Sequence, residues 1–406
     1  MTAADHDAAK IRSTHRIQLH PTIPEAKADE FAKRLFFVSE AILDFSLIRG
    51  GGLIGAVDLV LAGAADLDQL SKKLTFMVAN DVLAQRQVEH NVVWTADADR
   101  LARDVFDELL AGGVASEAGE GQIAIGEPVL SLMDYLDARI LELVRSEFGA
   151  REFRYPTLIS TAAMDRCCYF RSFPHLMMFV SRLHGDVDTY RGFLDDLTDR
   201  SDLSGSLRSY CGDFDYCLPP TMCFHTYHQL ADRPLREPSM VVTARGKSFR
   251  FESRYRRSLE RLWDFTIREV VFLGSRDLVL GRRSRLMELT YELVTDLGLG
   301  GRCEVANDPF FVDGGTADRV WSQQILRLKY ELRLPLEPGR DVAVCSFNFH
   351  EQFFSDSYRI ESADGTSPVY TACAGYGLER LAFAFLCQHG LDPANWPAPV
   401  RRAVIG

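Results

Sequence analysis

Apolar residues recur at three- and four-residue spacing through residues 130–148, where Leu132, Leu136, Ile140, Leu143 and Val144 share a side. That period predicts an amphipathic helix. The same spacing predicts helices over 24–40, carried by Phe31, Leu35, Phe36 and Val38, and over 66–83 and 276–299. Alternating or short apolar runs predict strands at 16–20, 42–48, 53–61 and 88–94, and the second and third of these flank Arg49-Gly50-Gly51-Gly52, a hairpin signature. Downstream, strand character recurs at 219–227, 265–273, 325–334 and 342–349, with a turn expected at 244–247 and a basic loop at 253–261. Pro156 interrupts the extended run 153–159 and demotes it to an edge strand.

The order strand, helix, hairpin, helix, strand in the first hundred residues suggests a small ferredoxin-like α+β domain. A Gly-, Ala- and Glu-rich stretch at 111–126 reads as a linker. The division expected is therefore 1–127 and 128–406. Many antiparallel strand signals with few alternating helices make the second part α+β and not doubly wound α/β.

Composition narrows the function. With 47% hydrophobic and 25% charged residues the chain reads as soluble and globular. No apolar run reaches the roughly 18 residues of a membrane span, and the polar start does not read as a signal peptide, so the cytoplasm is the expected compartment. Nine cysteines at irregular spacing argue against a secreted disulfide framework. The net charge of −11 counts against a protein that grips nucleic-acid phosphates. Residues 1–127 hold 12 Lys and Arg against 20 Asp and Glu, which makes them a poor RNA-binding arm.

The chemistry gathers near the C-terminus. Gly375-Tyr376-Gly377-Leu378-Glu379-Arg380 precedes an almost wholly apolar run. Glycines allow close backbone approach to a ligand, and an arginine at a helix start can hold a phosphate; a tight turn into a core helix would look the same. Arg250 and Glu252, in Phe249-Arg250-Phe251-Glu252, sharpen the nucleotide reading. An arginine aimed at an attacked α-phosphate stabilises its developing charge, and a second on the γ-phosphate bends the triphosphate to expose the reacting phosphorus.

These segments resemble the class II aminoacyl-tRNA synthetases. Residues 249–252 match the family's second motif, 375–380 its third, and Pro156 with its preceding helix the first, which in that family forms a homodimer interface. Lys329-Tyr330-Glu331-Leu332 and Trp263–Glu269 are similar to the seryl branch. Ala306-Asn307-Asp308-Pro309-Phe310-Phe311, residues 345–350 and 371–375 are similar to the seryl-synthetase-like amino acid:[carrier protein] ligases. The resemblance covers roughly 130–406 and implies a class II antiparallel sheet flanked by helices. It also implies ATP-dependent activation of a small amino acid, glycine or alanine, as an adenylate, then transfer to the phosphopantetheine thiol of a carrier protein, with no tRNA.

Carried over residue by residue, the resemblance gives Arg250 the α-phosphate and carboxylate, Glu252 the adenine amino group, Phe265 the adenine face and Arg380 the γ-phosphate. Asp341 becomes a candidate Mg²⁺ ligand, with Ser346 and Asn348 lining the same site. Cys223, Glu269 and Cys373 match the family's zinc ligands, Glu269 and Asn348 lying at the amino acid. Zn²⁺ suits two thiolates and a carboxylate and leaves a fourth position for substrate. Buried core thiols beside a salt-bridged Glu269 would carry the same residues. Cys211, Cys217 and Cys223, with His225 and His228 nearby, form a competing pattern whose spacing fits no common zinc module. His350 reads equally as a site residue or a satisfied histidine. Arg254, Arg256, Arg257 and Arg261 read as a partner-facing or a merely solvated loop. An atypical seryl-tRNA synthetase and a non-catalytic synthetase paralogue are the competing functions.

Overall fold

The computed structural model describes residues 12–35, 38–39, 41–83, 91–98, 101–183, 185–197, 203–251, 258–306 and 328–405. The chain opens with β1 (Arg12–Pro24), α1 (Ala28–Leu35), β2 (Ile42–Gly50), β3 (Leu53–Ala62) and α2 (Leu67–Met77). The three strands pair antiparallel in the order β1-β3-β2, and Ile17, Leu19, Phe31, Leu35, Leu59 and Leu74 close a separate core between sheet and helices.

Among the described residues this small α+β unit has three strands, not four. The strand expected over 88–94 is β4 (Val92–Ala96), and it pairs with β13 (Gly301–Val305) at the edge of the large sheet. The stretch read as a linker is also structured. It contains the end of α3 (Phe106–Ala111), then β5 (Ala115–Gly119) and β6 (Gln122–Ile125) as a hairpin. Val105, Phe106, Leu109 and Ala115 are buried in the main core. Glycine and alanine there serve a tight turn and close packing, which composition does not distinguish from a linker.

Next, α4 (Val129–Phe148) buries Leu132, Leu136, Ile140 and Val144 on one face and ends at Gly149, whose φ of 63° is left-handed. A short strand, β7 (Arg151–Phe153), follows and stops before Pro156. A subsidiary sheet of β8 (Ile159–Ser160), β9 (Met178–Leu183) and β10 (Cys211–Leu218) precedes α5 (Cys223–Leu230). The elements that complete the large sheet and its flanking helices around the site are β11 (Met240–Phe249), β12 (Asp264–Gly274), α6 (Arg276–Asp296), β13, β14 (Lys329–Glu337), β15 (Arg340–Glu351), α7 (Phe353–Tyr358), β16 (Tyr370–Gly377) and α8 (Leu378–His389).

The eight-stranded sheet runs β4-β13-β14-β15-β16-β12-β11-β7. It is antiparallel except where β7 lies parallel to β11, and α8 is buried from Leu381 to Gln388. Among the described residues no helix is long and apolar enough to cross a membrane.

Two expectations fail here for packing reasons. The expected 219–227 strand is largely α5, whose residues 223–227 are all buried; a helix whose first turn and more is buried on every side shows no polar stripe there, so that part of its sequence imitates a core strand. The expected turn at 244–247 is the interior of β11, paired with β12 from Met240↔Leu273 to Phe249↔Asp264. Gly246 marks close packing: a Cβ there would lie 2.4 Å from Met222 Sδ.

Candidate active site

β12, β15 and β16 lie side by side, so residues distant in sequence meet on one sheet face. Glu269 projects from β12 and Cys373 from β16, while α5 starts at Cys223 above them. A helix's first N–H groups have no partner within the helix, and that of Cys223 donates to Glu269 Oε2 at 2.7 Å. The ligating atoms of Cys223, Glu269 and Cys373 all lie within 4.8 Å of one another, and all three residues are buried. Among the described residues this is the only such group, so the Cys211, Cys217, Cys223 alternative finds no support.

Polar neighbours hold the group in place. Asn348, opposite Cys373 in the β15–β16 register, donates through Nδ2 to its sulfur at 3.6 Å. His350 Nε2 also lies 3.6 Å from that sulfur, and Nδ1 of the same ring lies 3.4 Å from Thr371 Oγ1. Thr221 Oγ1 sits 2.9 Å from the Cys223 sulfur. His350 thus lines the cavity beside this group. Burial pushes the Cys223 thiol and the Glu269 carboxyl well above their ordinary values. The hydrogen bond from Cys223, with help from His350 and Asn348, draws the Cys373 thiol well below its own. Two thiols and a carboxyl so confined are a donor set that suits a borderline-soft divalent cation.

The second half of the site borders the same cavity, of about 490 Å³. Beyond β11 the chain is pinned residue by residue. The N–H of Phe249 donates to Pro219 O at 2.8 Å, that of Arg250 to Trp263 O at 3.0 Å, and that of Phe251 to Leu176 O at 3.0 Å. The Arg250 guanidinium rests 5.4 Å over the Phe265 ring and donates through Nε to Pro220 O at 3.1 Å. Arg380, in the first turn of α8, donates through Nε to Glu260 O at 2.7 Å. Both arginines, Phe265, Ser346 and Asn348 line the cavity together with the Cys223, Glu269 and Cys373 group.

Glu252, the arginines at 254, 256 and 257, and the 307–311 part of the Ala306–Phe311 motif lie outside the described residues. Asp341 is not brought to the cavity. Its two carboxylate oxygens accept from Arg302 Nη1 at 2.6 Å and Arg333 Nε at 2.7 Å. The acidic residue that does line the cavity there is Glu331, which faces Ser346 across the β14–β15 register. Alternation in Lys329-Tyr330-Glu331-Leu332-Arg333 puts the three charges on one face and could have found it. Glu379 was also missed as a site residue; buried on α8, it accepts from the N–H of Thr266 at 2.8 Å through both oxygens and so ties Phe265 to the Arg380 helix.

Over 307 residues the chain is 33% identical to amino acid–[acyl-carrier-protein] ligase 1 of Bradyrhizobium diazoefficiens, covering 75% of this chain and 88% of that protein. Ligase 2 of the same organism is 34% identical over 305 residues, 75% of this chain and 86% of its own. The chain belongs to the amino acid–[acyl-carrier-protein] ligase family. This ligase is also similar to the type-2 serine–tRNA ligase of Methanopyrus kandleri, 29% identical over 316 residues that cover 74% of the chain and 60% of that protein. In fold it matches the M. kandleri seryl-tRNA synthetase solved with an Aquifex aeolicus tRNA, with a TM-score of 0.71 at 23% identity over 97% of this chain and 77% of that one. The class II synthetase architecture is thus shared. No family model matches the chain.

Proposed function

We propose that this ligase activates a small amino acid, glycine or alanine, with ATP and passes the acyl group to the phosphopantetheine thiol of a carrier protein. The observation that carries the reading is one cavity lined both by Cys223, Glu269 and Cys373 and by Arg250, Phe265 and Arg380. In the first step a carboxylate oxygen of the amino acid attacks the α-phosphorus and pyrophosphate leaves. In the second the thiol sulfur attacks the carbonyl carbon and AMP leaves.

Arg250 neutralises charge growing on the α-phosphate oxygens and holds the incoming carboxylate. Arg380 takes the γ-phosphate. Phe265 offers its face to adenine once the Arg250 side chain swings from it to phosphate, and Glu252 is assigned the adenine amino group by the family resemblance. The set Cys223, Glu269 and Cys373 would hold Zn²⁺, which when bound supplies a Lewis-acid seat for the substrate amine. Asn348 and His350 orient Cys373. For the magnesium that accompanies ATP, Glu331 with Ser346 fits better than Asp341, because both line the cavity and Asp341 does not; binding there would draw Glu331 from its ion pairs with Lys329 and Arg333.

Support for a small substrate comes from Phe354, which lines the cavity and is backed by the buried Tyr227 ring stacked on it at 4.3 Å. Pyrophosphate exchange across all amino acids, followed by mass analysis of a holo carrier protein, tests the reading. Exchange should respond to glycine or alanine, and the carrier should gain that residue's mass. Efficient charging of tRNA with no carrier loading would sink it.

A further inference from the structure

The β5–β6 hairpin reaches the nucleotide half of the site at Gly121. Glu120 and Gly121 form its two-residue turn, closed by the Gly119↔Gln122 pair. Gly121 has a φ of +62°, and a Cβ on it would lie 2.3 Å from Trp263 Cδ1 and 2.6 Å from Cγ. The indole therefore lies directly against the turn backbone. The N–H of Trp263 donates to Gly121 O at 2.8 Å, and Trp263 O in turn accepts the Arg250 N–H at 3.0 Å. The Phe251 ring leans on the indole with centroids 4.7 Å apart. At its base the hairpin is anchored, because Ala115 is buried and Ile123 and Ile125 pack against the main core.

A continuous path thus runs from core to hairpin turn, to Trp263, to the backbone of Arg250. We propose that Gly121 and Trp263 are positioning residues for the nucleotide, setting where Arg250 meets the α-phosphate. The proposal rests on the reading of Arg250 as the α-phosphate ligand. The buried Cys223, Glu269 and Cys373 group hangs on α5, β12 and β16 and has no part in this path, so amino acid and metal binding should be insensitive to it.

The test is Gly121→Asn in the full-length protein, since asparagine tolerates a positive φ and the added side chain alone then displaces the indole. Calorimetry should show ATP bound about tenfold more weakly, because an arginine moved by a fraction of an ångström loses its aim. Zinc content, melting temperature and KM for the amino acid should stay at wild-type values. In a Trp263→Leu background, where the clash is relieved, Gly121→Asn should cost no further ATP affinity. Unchanged ATP affinity in folded Gly121→Asn protein, or an equal loss in both backgrounds, overturns the proposal. A wild-type protein that binds ATP in this pattern yet exchanges no pyrophosphate would overturn the activation reading and leave the positioning role standing.

Discussion

At the scale of single residues the proposed function divides the site into groups assigned to phosphate and groups assigned to the amino acid, and substitutions should separate them. Arg250→Ala or Arg380→Ala removes one charged contact to a reacting triphosphate, and losses of this type are about 10²–10³-fold in turnover. Pyrophosphate exchange should fall by that much while zinc content stays constant. Cys373→Ala should behave oppositely. It removes one of the three proposed zinc ligands, so a metal assay should fall from about one zinc per chain and activation of the amino acid should vanish with it. Full zinc and full exchange in that variant would return Cys223, Glu269 and Cys373 to the status of a buried polar cluster. Replacing Asp341 by Asn should affect stability more than the magnesium dependence of exchange, whereas Glu331→Gln should raise the magnesium needed for half-maximal rate.

At the scale of elements, a buried ion cluster joins α4 to β12, an interior strand of the large sheet. Arg268 on β12 is 2% exposed and donates to both oxygens of Asp137 on α4, at 2.7 and 2.8 Å, and to Glu152 on β7 at 2.8 Å. Arg268→Leu would leave buried Asp137 with only its longer contact to Arg245 Nη1 at 3.4 Å, and breaking a buried ion pair costs up to about 3–5 kcal/mol; a melt of the variant should show a clear drop, and an unchanged midpoint would contradict the arrangement. Such a link is invisible in sequence because its partners lie 131 residues apart. What sequence did show was local. The period of α4 stood out because that helix buries only one face, and the β12 and β15 runs stood out because they are rich in β-branched and aromatic residues. α5 was hidden because its first five residues are all buried, and Gly246 by the ambiguity between a turn glycine and one pressed against Met222. The positions Cys223, Glu269 and Cys373 came from resemblance alone, since 150 residues separate the two cysteines. The fold shows why they meet: β12 and β16 are hydrogen-bonded neighbours, with Val271 opposite Cys373.

At the scale of the molecule, the division of cores sets where the chain can be cut. Residues 12–83 enclose one buried cluster, and the main cluster takes in residues from 105 onward, with Trp94 of β4 packed against it. Charge follows the same division. Residues 12–83 hold 8 Lys and Arg against 9 Asp and Glu, while 84–127 hold 3 against 9. The acidity ascribed to an N-terminal arm thus belongs largely to segments packed on the catalytic sheet. Removing residues 1–90 should leave β4, α3 and the β5–β6 hairpin in place, so pyrophosphate exchange should persist at near wild-type rate. Removing 1–127 should strip the sheet of its β4 edge, the core of Val105, Phe106 and Leu109, and the Gly121 contact to Trp263. Exposing that much apolar surface, at about 25 cal/mol per Å², should give an insoluble or unfolded product. Equal solubility and exchange in both truncations would show that 91–127 are dispensable. Loss of exchange in the shorter truncation alone would make the N-terminal unit part of the catalytic machine.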